Sequence, residues 1–403
     1  MLIAPDRYAG TLTAAEAASA IADGWSRSAP RDEVVLLPLS DGSAGFLDVL
    51  AAAAPGAGPQ VLAVTVSDPW CDPVPATILV TETPGIHGDL GSPGGGGTTA
   101  YLEASQVLAP HGRRPRDPAH TTSRGVGELV AAALETGARR ILLGVGPVGE
   151  VATHDAGSGL LAALGVGGPG VLDAGGMRLA DLQARDLDGL SDLRARLRGV
   201  DLVLVTRDDL PLLGFQGASA VEAELKGASP GEGQLLEAAF GHWADLVTRV
   251  LPPATDLLTG RPIRLERQPG AGVAGGLGHA VLALGGRVVD GAAFVAGRLG
   301  LDAAASRSHL LVTGEGSAGW RSLRRSVLTE VSGAGLRHGV PTVLVAGQVQ
   351  IGRRDWMSAG LSGAYAVADR PERLADALAD PAGTLAERAA RVARTWSPGT
   401  TYS

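Results

Sequence analysis

Short apolar runs alternate with amphipathic segments along most of the chain. A helix is predicted to begin after Thr13, because Glu16 stands three residues later in a capping-box pattern, and a second helix is predicted over Phe46–Ala53. Because strands alternate with helices, we expect an α/β fold whose parallel sheets are covered on both faces. The predicted strands are Leu2–Pro5, Glu33–Leu39, Gln60–Val66, Arg140–Val145, Asp201–Thr206, His309–Thr313, Pro341–Ala346 and Ala364–Ala368.

Two segments are predicted to be connections. Pro84–Gly97 is rich in glycine and is predicted to be a surface loop. Pro252–Gly276 changes from a loop-like composition through the charged run RLERQ to AGVAGGLG, which is typical of a crossing between domains. We therefore expect the first and last parts of the chain to form one domain, with the middle inserted.

Composition narrows the class of protein. The chain has 403 residues, of which 45% are hydrophobic and 19% charged, enough for sizeable cores in two or three domains. The net charge of −8 without a basic block argues against a nucleic-acid partner. Cys71 is the only cysteine, which excludes an internal disulfide and a CxxC metal site. We see no signal-peptide pattern and no apolar run of about 20 residues, so we expect a soluble cytoplasmic protein with no membrane partner.

Acidic residues stand beside glycines near the ends of several predicted strands. Glycine lets backbone N–H groups approach an anion, and the helix that follows offers its positive N-terminus to a phosphate. A nearby carboxylate can hold Mg²⁺ or accept a hydroxyl proton, and phosphoryl transfer needs both functions. The four places are Pro5-Asp6, Asp41-Gly42, the run ATHDAGSG that contains Asp155, and Gly314-Glu315-Gly316.

Each of these acids also has a structural interpretation. Asp6 and Asp41 would organise turns, whereas Asp155 and Glu315 would cap the helices that follow them. Neither a P-loop GxxxxGK[ST] nor a protein-kinase signature is present. The residues by themselves predict a small-molecule α/β enzyme that handles phosphate.

Taken together, the motifs are more specific. The chain resembles the type I glycerate kinases (glycerate 2-kinases), bacterial enzymes that phosphorylate glycerate with ATP. The similar blocks occur in family order and cover nearly the whole chain. They are APDRYAGTL from Ala4, DGSAGF from Asp41, TAYLEA from Thr99, TTSRGVGEL from Thr121, ATHDAGSG from Ala152, PLLG from Pro211, KGA from Lys226 and TGEG from Thr313.

The resemblance implies an α/β protein of two domains. Residues 1–70 and 271–403 would form a discontinuous Rossmann-like domain, 71–270 an inserted α/β domain, and the cleft between them the active site. ATP and Mg²⁺ are the implied cofactors, glycerate or a related hydroxy acid is the implied substrate, and a homodimer is left open. The implied catalytic residues are Asp6, Asp41, Asp155 and Glu315; the implied substrate or nucleotide contacts are Arg7, Gly10, Gly42, His154, Gly157, Lys226, Gly314, Gly316 and Arg321; the implied metal ligands are Asp41 and Glu315.

The polar residues depart from the family pattern more than the framework does. Ala9 and Ser326 stand where the family has lysines, Ala44 where it has a glutamate, and Gly319 where it has an aspartate. Such groups would bind phosphate, metal or carboxylate, and losing several of them could abolish activity. Displaced arginines would restore some of the positive charge. They are Arg7, Arg321, Arg324 and Arg325.

Three hypotheses therefore stay open. The chain is an active kinase, an inactive paralogue that binds a small ligand or a partner, or an enzyme of the same fold with a more apolar substrate. Phe46 and Trp320 would mark the apolar pocket of the third hypothesis. His154 replaces a family asparagine and is either a neutral stand-in or a new acid or base beside Asp155.

Overall fold

A computed structural model describes residues 1–53, 58–83, 97–110 and 117–397. The described residues form two compact units. Unit 1 contains Met1–Asp41, Asp48–Ala53 and the chain from Asp290 onwards; unit 2 contains Gly42–Leu47 and the chain between Ala54 and Val289.

Strands and helices alternate in both units. The strands are β1 (Leu2–Ile3), β2 (Val35–Leu36), β3 (Gln60–Ser67), β4 (Pro73–Thr83), β5 (Gly97–Glu103), β6 (Arg140–Val145), β7 (Asp201–Thr206), β8 (Arg287–Asp290), β9 (Leu311–Thr313), β10 (Ser317–Ala318), β11 (Thr342–Ala346), β12 (Gln348–Val349) and β13 (Gly363–Ala366). The α-helices are α1 (Ala14–Ser28), α2 (Phe46–Ala52), α3 (Ser105–Leu108), α4 (Arg124–Glu135), α5 (Ser158–Ala163), α6 (Leu190–Arg196), α7 (Ala218–Glu222), α8 (Pro230–Val250), α9 (Val273–Ala283), α10 (Gly291–Leu299), α11 (Leu301–Ser306), α12 (Val327–His338), α13 (Arg353–Ser358), α14 (Leu374–Ala379) and α15 (Pro381–Trp396). Among the described helices, none is long and apolar enough to span a membrane.

Unit 1 is built on a parallel sheet with the strand order β13-β11-β9-β1-β2. Successive side chains of a strand point to opposite faces, and both faces of this sheet are covered. Val343 and Val345 belong to the core that contains residues of α1 and α15, whereas Leu344 and Ala346 pack in a second core with Leu328 of α12. The predicted parallel sheet with two covered faces is confirmed for this unit.

Unit 2 contains a six-stranded sheet with the order β3-β4-β5-β6-β7-β8. Its β5, β6 and β7 are parallel, but β3 pairs with β4 and β4 with β5 in antiparallel register, so the expectation of wholly parallel sheets is wrong here. The reason is a tight reversal after β3. The Asp68 carboxylate accepts the N–H groups of Trp70 (2.8 Å) and Asp72 (2.9 Å), and this turn folds β4 back onto β3.

Local predictions hold best where the pattern is strongest. The predicted bounds of β6 and β7 agree with the structure, while β2 is limited to Val35–Leu36. The capping box is formed, because the Glu16 N–H donates to Thr13 Oγ1 (3.2 Å) and the Thr13 N–H donates to Glu16 Oε2 (2.9 Å). The loop predicted over Pro84–Gly97 lies outside the described residues, apart from Gly97 at the start of β5.

The boundaries of the compact units differ from the predicted positions 70 and 270. Strand β3 belongs to the sheet of unit 2 because it pairs along its length with β4. Helix α9 belongs to unit 2 because Leu277 and Ala280 are buried in its core. The chain therefore enters unit 1 between Val289 and Asp290, and not within the predicted crossing at Pro252–Gly276.

Candidate functional site

Three acidic residues follow neighbouring strands in unit 1. The Asp6 N–H donates to the Gly314 carbonyl (2.8 Å), and the Leu39 N–H donates to the Pro5 carbonyl (2.9 Å). Because β9, β1 and β2 are adjacent and parallel, their carboxyl ends lie at one edge of the sheet. Asp6, Asp41 and Glu315 are thus brought together where open α/β sheets bind ligands.

The charges of these residues act on one another. Burial raises the pKa of Asp6 well above its usual range, and the negative charges of Asp41 and Glu315 raise it further. The Arg7 N–H, which donates to Asp6 Oδ1 (2.7 Å), and the Arg7 guanidinium oppose the rise in pKa. Asp6 therefore holds a proton more readily than an exposed aspartate does.

Glu315 is fixed by the short 3₁₀ turn that follows it. Ser322 Oγ donates to Glu315 Oε2 (2.9 Å) and accepts the Gly319 N–H (3.1 Å). The helix after this turn, α12, is capped by Ser326, whose Oγ accepts the Thr329 N–H (3.3 Å). The structural interpretation of Glu315 as the cap of that helix is therefore wrong, because Ser326 occupies the capping position.

Three of the predicted site glycines are required by close packing, and a Cβ on the first of them, Gly42, would lie 2.4 Å from the Val205 carbonyl oxygen. A Cβ on Gly314 would lie 2.4 Å from Tyr8 Oη, and a Cβ on Gly157 would lie 2.5 Å from the Ala280 side chain. Gly157 also has a φ of +75°, which disfavours other residues. Gly42 is buried, Gly316 is half-buried and Gly10 is exposed.

Asp155 lies in unit 2 and is completely buried. Its Oδ2 accepts the Ser123 N–H (2.7 Å), the Ser123 hydroxyl (2.9 Å) and the Gly159 N–H (3.1 Å), and its Oδ1 accepts the Gly157 N–H (3.1 Å). Burial raises the pKa of Asp155, while these donors lower it. The carboxylate joins the start of α4 to the start of α5, so its contacts are those of a structural residue. Its catalytic role stays a prediction.

His154 is also completely buried in unit 2. Its ring stacks on Phe240 with the centroids 4.6 Å apart, and its Nε2 lies 3.0 Å from Ser219 Oγ. Burial, and then the positive charge of Lys226, hold the pKa of His154 well below its usual value. A neutral imidazole in a packed stack favours the interpretation of His154 as a stand-in for asparagine.

Lys226 forms a buried ion pair with Glu222, four residues before it. Lys226 Nζ also donates to the Thr153 carbonyl (2.7 Å), and the Glu222 carboxylate accepts the Gly275 N–H (2.8 Å). Residues 274–276 have left-handed backbone angles, which this hydrogen bond helps to hold. The contacts of Lys226 are structural, and its predicted role in binding stays a prediction. Glu222 was not predicted, although its i,i+4 spacing from Lys226 was a usable signal.

The displaced arginines differ in their surroundings. Arg7 is half-buried and acts on the charge of Asp6. Arg321 is exposed, with its guanidinium 5.3 Å from the centroid of the Trp320 ring. Arg325 Nε lies 3.0 Å from a carboxylate oxygen of Asp290, so part of its charge is already compensated. Arg7 thus adjoins Asp6 and lowers the pKa of that carboxyl.

Glu103, at the end of β5, was not predicted as a site residue. Its Oε2 accepts the N–H groups of Gly45 (3.1 Å) and Leu47 (3.2 Å) at the start of α2, and its Oε1 accepts the Ser105 hydroxyl. Phe46, between these two residues, is buried with its ring edge-to-face against Tyr101 (6.4 Å between centroids). Phe46 is therefore a core residue of unit 2, and the expectation that it lines an apolar pocket is wrong.

Metal binding was also predicted for the carboxylates. Within the described ranges, no group of three or more His, Cys, Asp and Glu side chains is placed to hold a metal ion. Mg²⁺ at phosphoryl-transfer sites commonly uses one or two carboxylates together with substrate phosphates. The mutual repulsion of Asp6, Asp41 and Glu315 fits such a cation, which would offset their charge.

Comparisons with known proteins cover nearly the whole chain. The model of the glycerate kinase family matches residues 1–397. The chain belongs to the glycerate kinase family. It is 32% identical to glycerate 2-kinase of Escherichia coli, over 87% of this chain and 85% of that protein. It is 30% identical to glycerate kinase of Bacillus subtilis, over 97% of this chain and 96% of that protein.

The fold of this family member agrees with a solved structure. The crystal structure of a protein assigned as glycerate kinase 2 from Salmonella typhimurium superposes with a TM-score of 0.72 and 28% identity, over 98% of this chain and 97% of that chain. An uncharacterised protein of Mycobacterium bovis is 34% identical over 98% of this chain and 90% of its own length. The predicted family and the α/β fold class are confirmed, and membership supports a kinase similar to glycerate kinases.

The replaced polar positions of this glycerate kinase-family chain fall into two kinds. Ala9 is exposed, and Ala44 and Gly319 are half-buried, so solvent or a ligand can reach these positions. Ser326 is buried and has a new role as the cap of α12. Ser326 is thus accounted for by its structural role, whereas the effect of the changes at the other three positions stays a prediction.

Proposed function

We propose that the chain is an ATP-dependent kinase that phosphorylates the hydroxyl group of glycerate or a related hydroxy acid. Family membership supports a kinase of this kind. The observation that carries the proposal is the group formed by the buried Asp6 and Asp41 and the half-buried Glu315 at the carboxyl edge of the unit 1 sheet, where the pKa of Asp6 is raised.

In this proposal, Asp6 accepts the proton of the acceptor hydroxyl. A carboxylate is ordinarily a weak base near neutral pH, and a raised pKa makes it a better proton acceptor. The Arg7 guanidinium then limits the cost of the charged form. Activity should rise with pH through the raised pKa of Asp6, because the protonated carboxyl cannot accept a proton.

Asp41 and Glu315 would hold Mg²⁺, which supplies charge stabilisation to the phosphoryl group when it is bound. The Ser322 hydrogen bond orients one oxygen of Glu315. Arg7, Gly10, Gly316 and Arg321 are exposed or half-buried and are retained as proposed contacts of substrate or nucleotide. The expected cleft between the two predicted domains stays a prediction.

The direct test measures ADP release by the purified chain with ATP, Mg²⁺ and D-glycerate. Asp6→Asn removes the proton acceptor and should lower kcat by about 100-fold or more. Asp23→Asn makes the same chemical change at an exposed position of α1 and should leave kcat unchanged. Loss of activity in both variants would contradict the role of Asp6.

An inactive paralogue is the second candidate, and it is favoured by the accessible Ala9, Ala44 and Gly319, which stand where the family pattern has charged residues. If a folded protein releases no ADP, the kinase proposal is refuted. If calorimetry still shows nucleotide binding in that case, the result supports a binding protein. The third candidate, an enzyme for a more apolar substrate, loses support because Phe46 packs in the core.

A further inference from the structure

Glu315, the proposed metal ligand, stands between Gly314 and Gly316. Glycine has more backbone freedom than any other residue, so this segment loses more conformational entropy than most segments when it is ordered. Ser322 Oγ donates to the carboxylate at the end of the Glu315 side chain, and the Gly347 N–H donates to the Glu315 carbonyl (3.0 Å). The position of Glu315 therefore also depends on what packs against the two glycines.

Tyr8 packs against both of these glycines. It is 4% exposed and belongs to the core of unit 1. A Cβ on Gly314 would lie 2.4 Å from Tyr8 Oη, and a Cβ on Gly316 would lie 3.2 Å from Tyr8 Cα. The tyrosine thus contacts the chain immediately before and immediately after Glu315.

The Tyr8 hydroxyl also joins two strands that are not neighbours. Tyr8 follows β1, and its Oη donates to the carbonyl of Val345 in β11. In the sheet, β9 lies between these strands, and Gly314 follows β9. A Cβ on Gly314 would lie 2.6 Å from the Val345 carbonyl oxygen, so the hydrogen bond passes directly over this glycine. We call Tyr8, Gly314 and Val345 the tyrosine clamp.

A role of the Tyr8 hydroxyl in proton transfer is disfavoured. Burial, and then the negative charge of Glu315, raise the pKa of Tyr8, so the hydroxyl stays protonated at neutral pH. Its proton is already donated to the Val345 carbonyl. The contacts of Tyr8 are therefore those of a residue that acts through Glu315.

We propose that Tyr8 is a positioning residue, whose hydroxyl holds Glu315 where its carboxylate binds a divalent cation. The role in cation binding rests on the proposed function, in which Asp41 and Glu315 hold Mg²⁺. A metal site needs ligands whose positions are fixed by the groups around them. If the clamp is opened, binding of the cation must also order the segment Gly314-Glu315-Gly316, and the affinity falls.

Tyr8→Phe removes the hydroxyl and keeps the ring that fills the core. The first measurement is amide hydrogen exchange by mass spectrometry, without any ligand. The N–H groups of Gly347 and Gln348 donate to the carbonyls of Glu315 and Gly316 (both 3.0 Å), so their exchange reports the order of this segment. Exchange at these two amides should be about tenfold faster in Tyr8→Phe, the upper end of the effect of one lost hydrogen bond.

The second measurement is binding of Mn²⁺, as a probe for Mg²⁺, from the electron paramagnetic resonance signal of the free ion. The dissociation constant should rise by about tenfold in Tyr8→Phe. Tyr365→Phe is the matched control, because it removes the same atom from a half-buried tyrosine of β13 in the same unit. The Tyr365 hydroxyl accepts the Trp396 Nε1–H (2.9 Å), and its loss should change neither measurement.

Unchanged exchange at Gly347 and Gln348 in Tyr8→Phe would overturn the clamp. Unchanged Mn²⁺ affinity, or a wild-type chain that binds no Mn²⁺, would overturn its role in cation binding. Equal effects of Tyr365→Phe would overturn the inference as well, since they would reflect a general loosening of the sheet. If the wild type releases no ADP but Tyr8→Phe still gives both changes, the inference stands and the proposed kinase activity is refuted.

Discussion

Replacement of Lys226 by methionine tests whether this lysine supports the fold or binds a ligand. Lys226→Met keeps much of the apolar length of the side chain and removes the ammonium group. The Glu222 carboxylate would then be buried with its Gly275 hydrogen bond but without its cation, and the Thr153 carbonyl would lose a donor. We expect a large loss of stability in unit 2.

The magnitude follows from the burial of both partners, which are 0% and 1% exposed. Breaking a buried ion pair by removing one partner costs about 3–5 kcal/mol, because the remaining charge is left in a poorly solvating interior. Glu222→Gln/Lys226→Met removes both charges and keeps an oxygen for the Gly275 N–H. The double variant should be more stable than Lys226→Met by at least about 2 kcal/mol.

Urea denaturation followed by tryptophan fluorescence is a suitable assay, since Trp243 is buried in unit 2 and Trp25 in unit 1. If the urea midpoint of the unit 2 transition shifts more than that of the unit 1 transition, the destabilisation lies in unit 2. Arg249→Met, at an exposed position of α8, should change the free energy of unfolding by no more than about 0.5 kcal/mol.

A loss below about 1 kcal/mol for Lys226→Met would refute the structural reasoning. If that small loss came with a raised KM, the lysine would be a binding residue after all. A double variant less stable than the single one would show that the charge left on Glu222 is not the cause of the destabilisation.

Two further substitutions distinguish a carboxylate that lowers the stability of the fold from one that raises it. Asp6→Asn should raise the melting temperature at neutral pH, because the raised pKa of Asp6 means that its charged form destabilises the fold. This advantage should be absent below about pH 4 and grow as pH rises towards the raised pKa; equal melting curves at neutral pH would refute it. Asp155→Asn should destabilise unit 2 by about 3 kcal/mol or more in urea titrations, since an amide nitrogen cannot accept the N–H groups of Ser123 or Gly159. An unchanged free energy of unfolding in that variant would show that the Asp155 hydrogen bonds do not hold α4 and α5 together.

Some strands could be predicted from the sequence because their patterns are unambiguous. β6 and β7 are continuous apolar runs that each begin at a charged residue, and their bounds agree with the structure. β4 was missed because it contains Pro73 and Pro75, which cannot donate to a strand ladder. Both prolines lie in the part of β4 whose register is with β3, before its pairing with β5 begins at Leu79.

The candidate site was only partly predictable, for a physical reason. Asp6, Asp41 and Glu315 follow strand ends, and adjacent parallel strands bring such residues together at one edge. The burial of His154 and Lys226 depends on contacts with Phe240 of α8 and Glu222 of α7, which a pattern along one segment does not contain. Local sequence thus indicates at which edge of a sheet the candidate site residues lie. It does not indicate which polar side chains are buried by the packing of other elements.

The retained motif residues therefore differ in their effect on stability. Asp155 and Lys226 stabilise the fold through satisfied contacts, so their presence is expected in an active kinase and in an inactive paralogue alike. Asp6 differs, because its buried charge is repelled by Asp41 and Glu315 and is a cost to stability. Residues that lower stability in this way are typical of sites selected for chemistry. A stabilising Asp6→Asn substitution that also abolishes phosphoryl transfer would identify that cost as a requirement of catalysis.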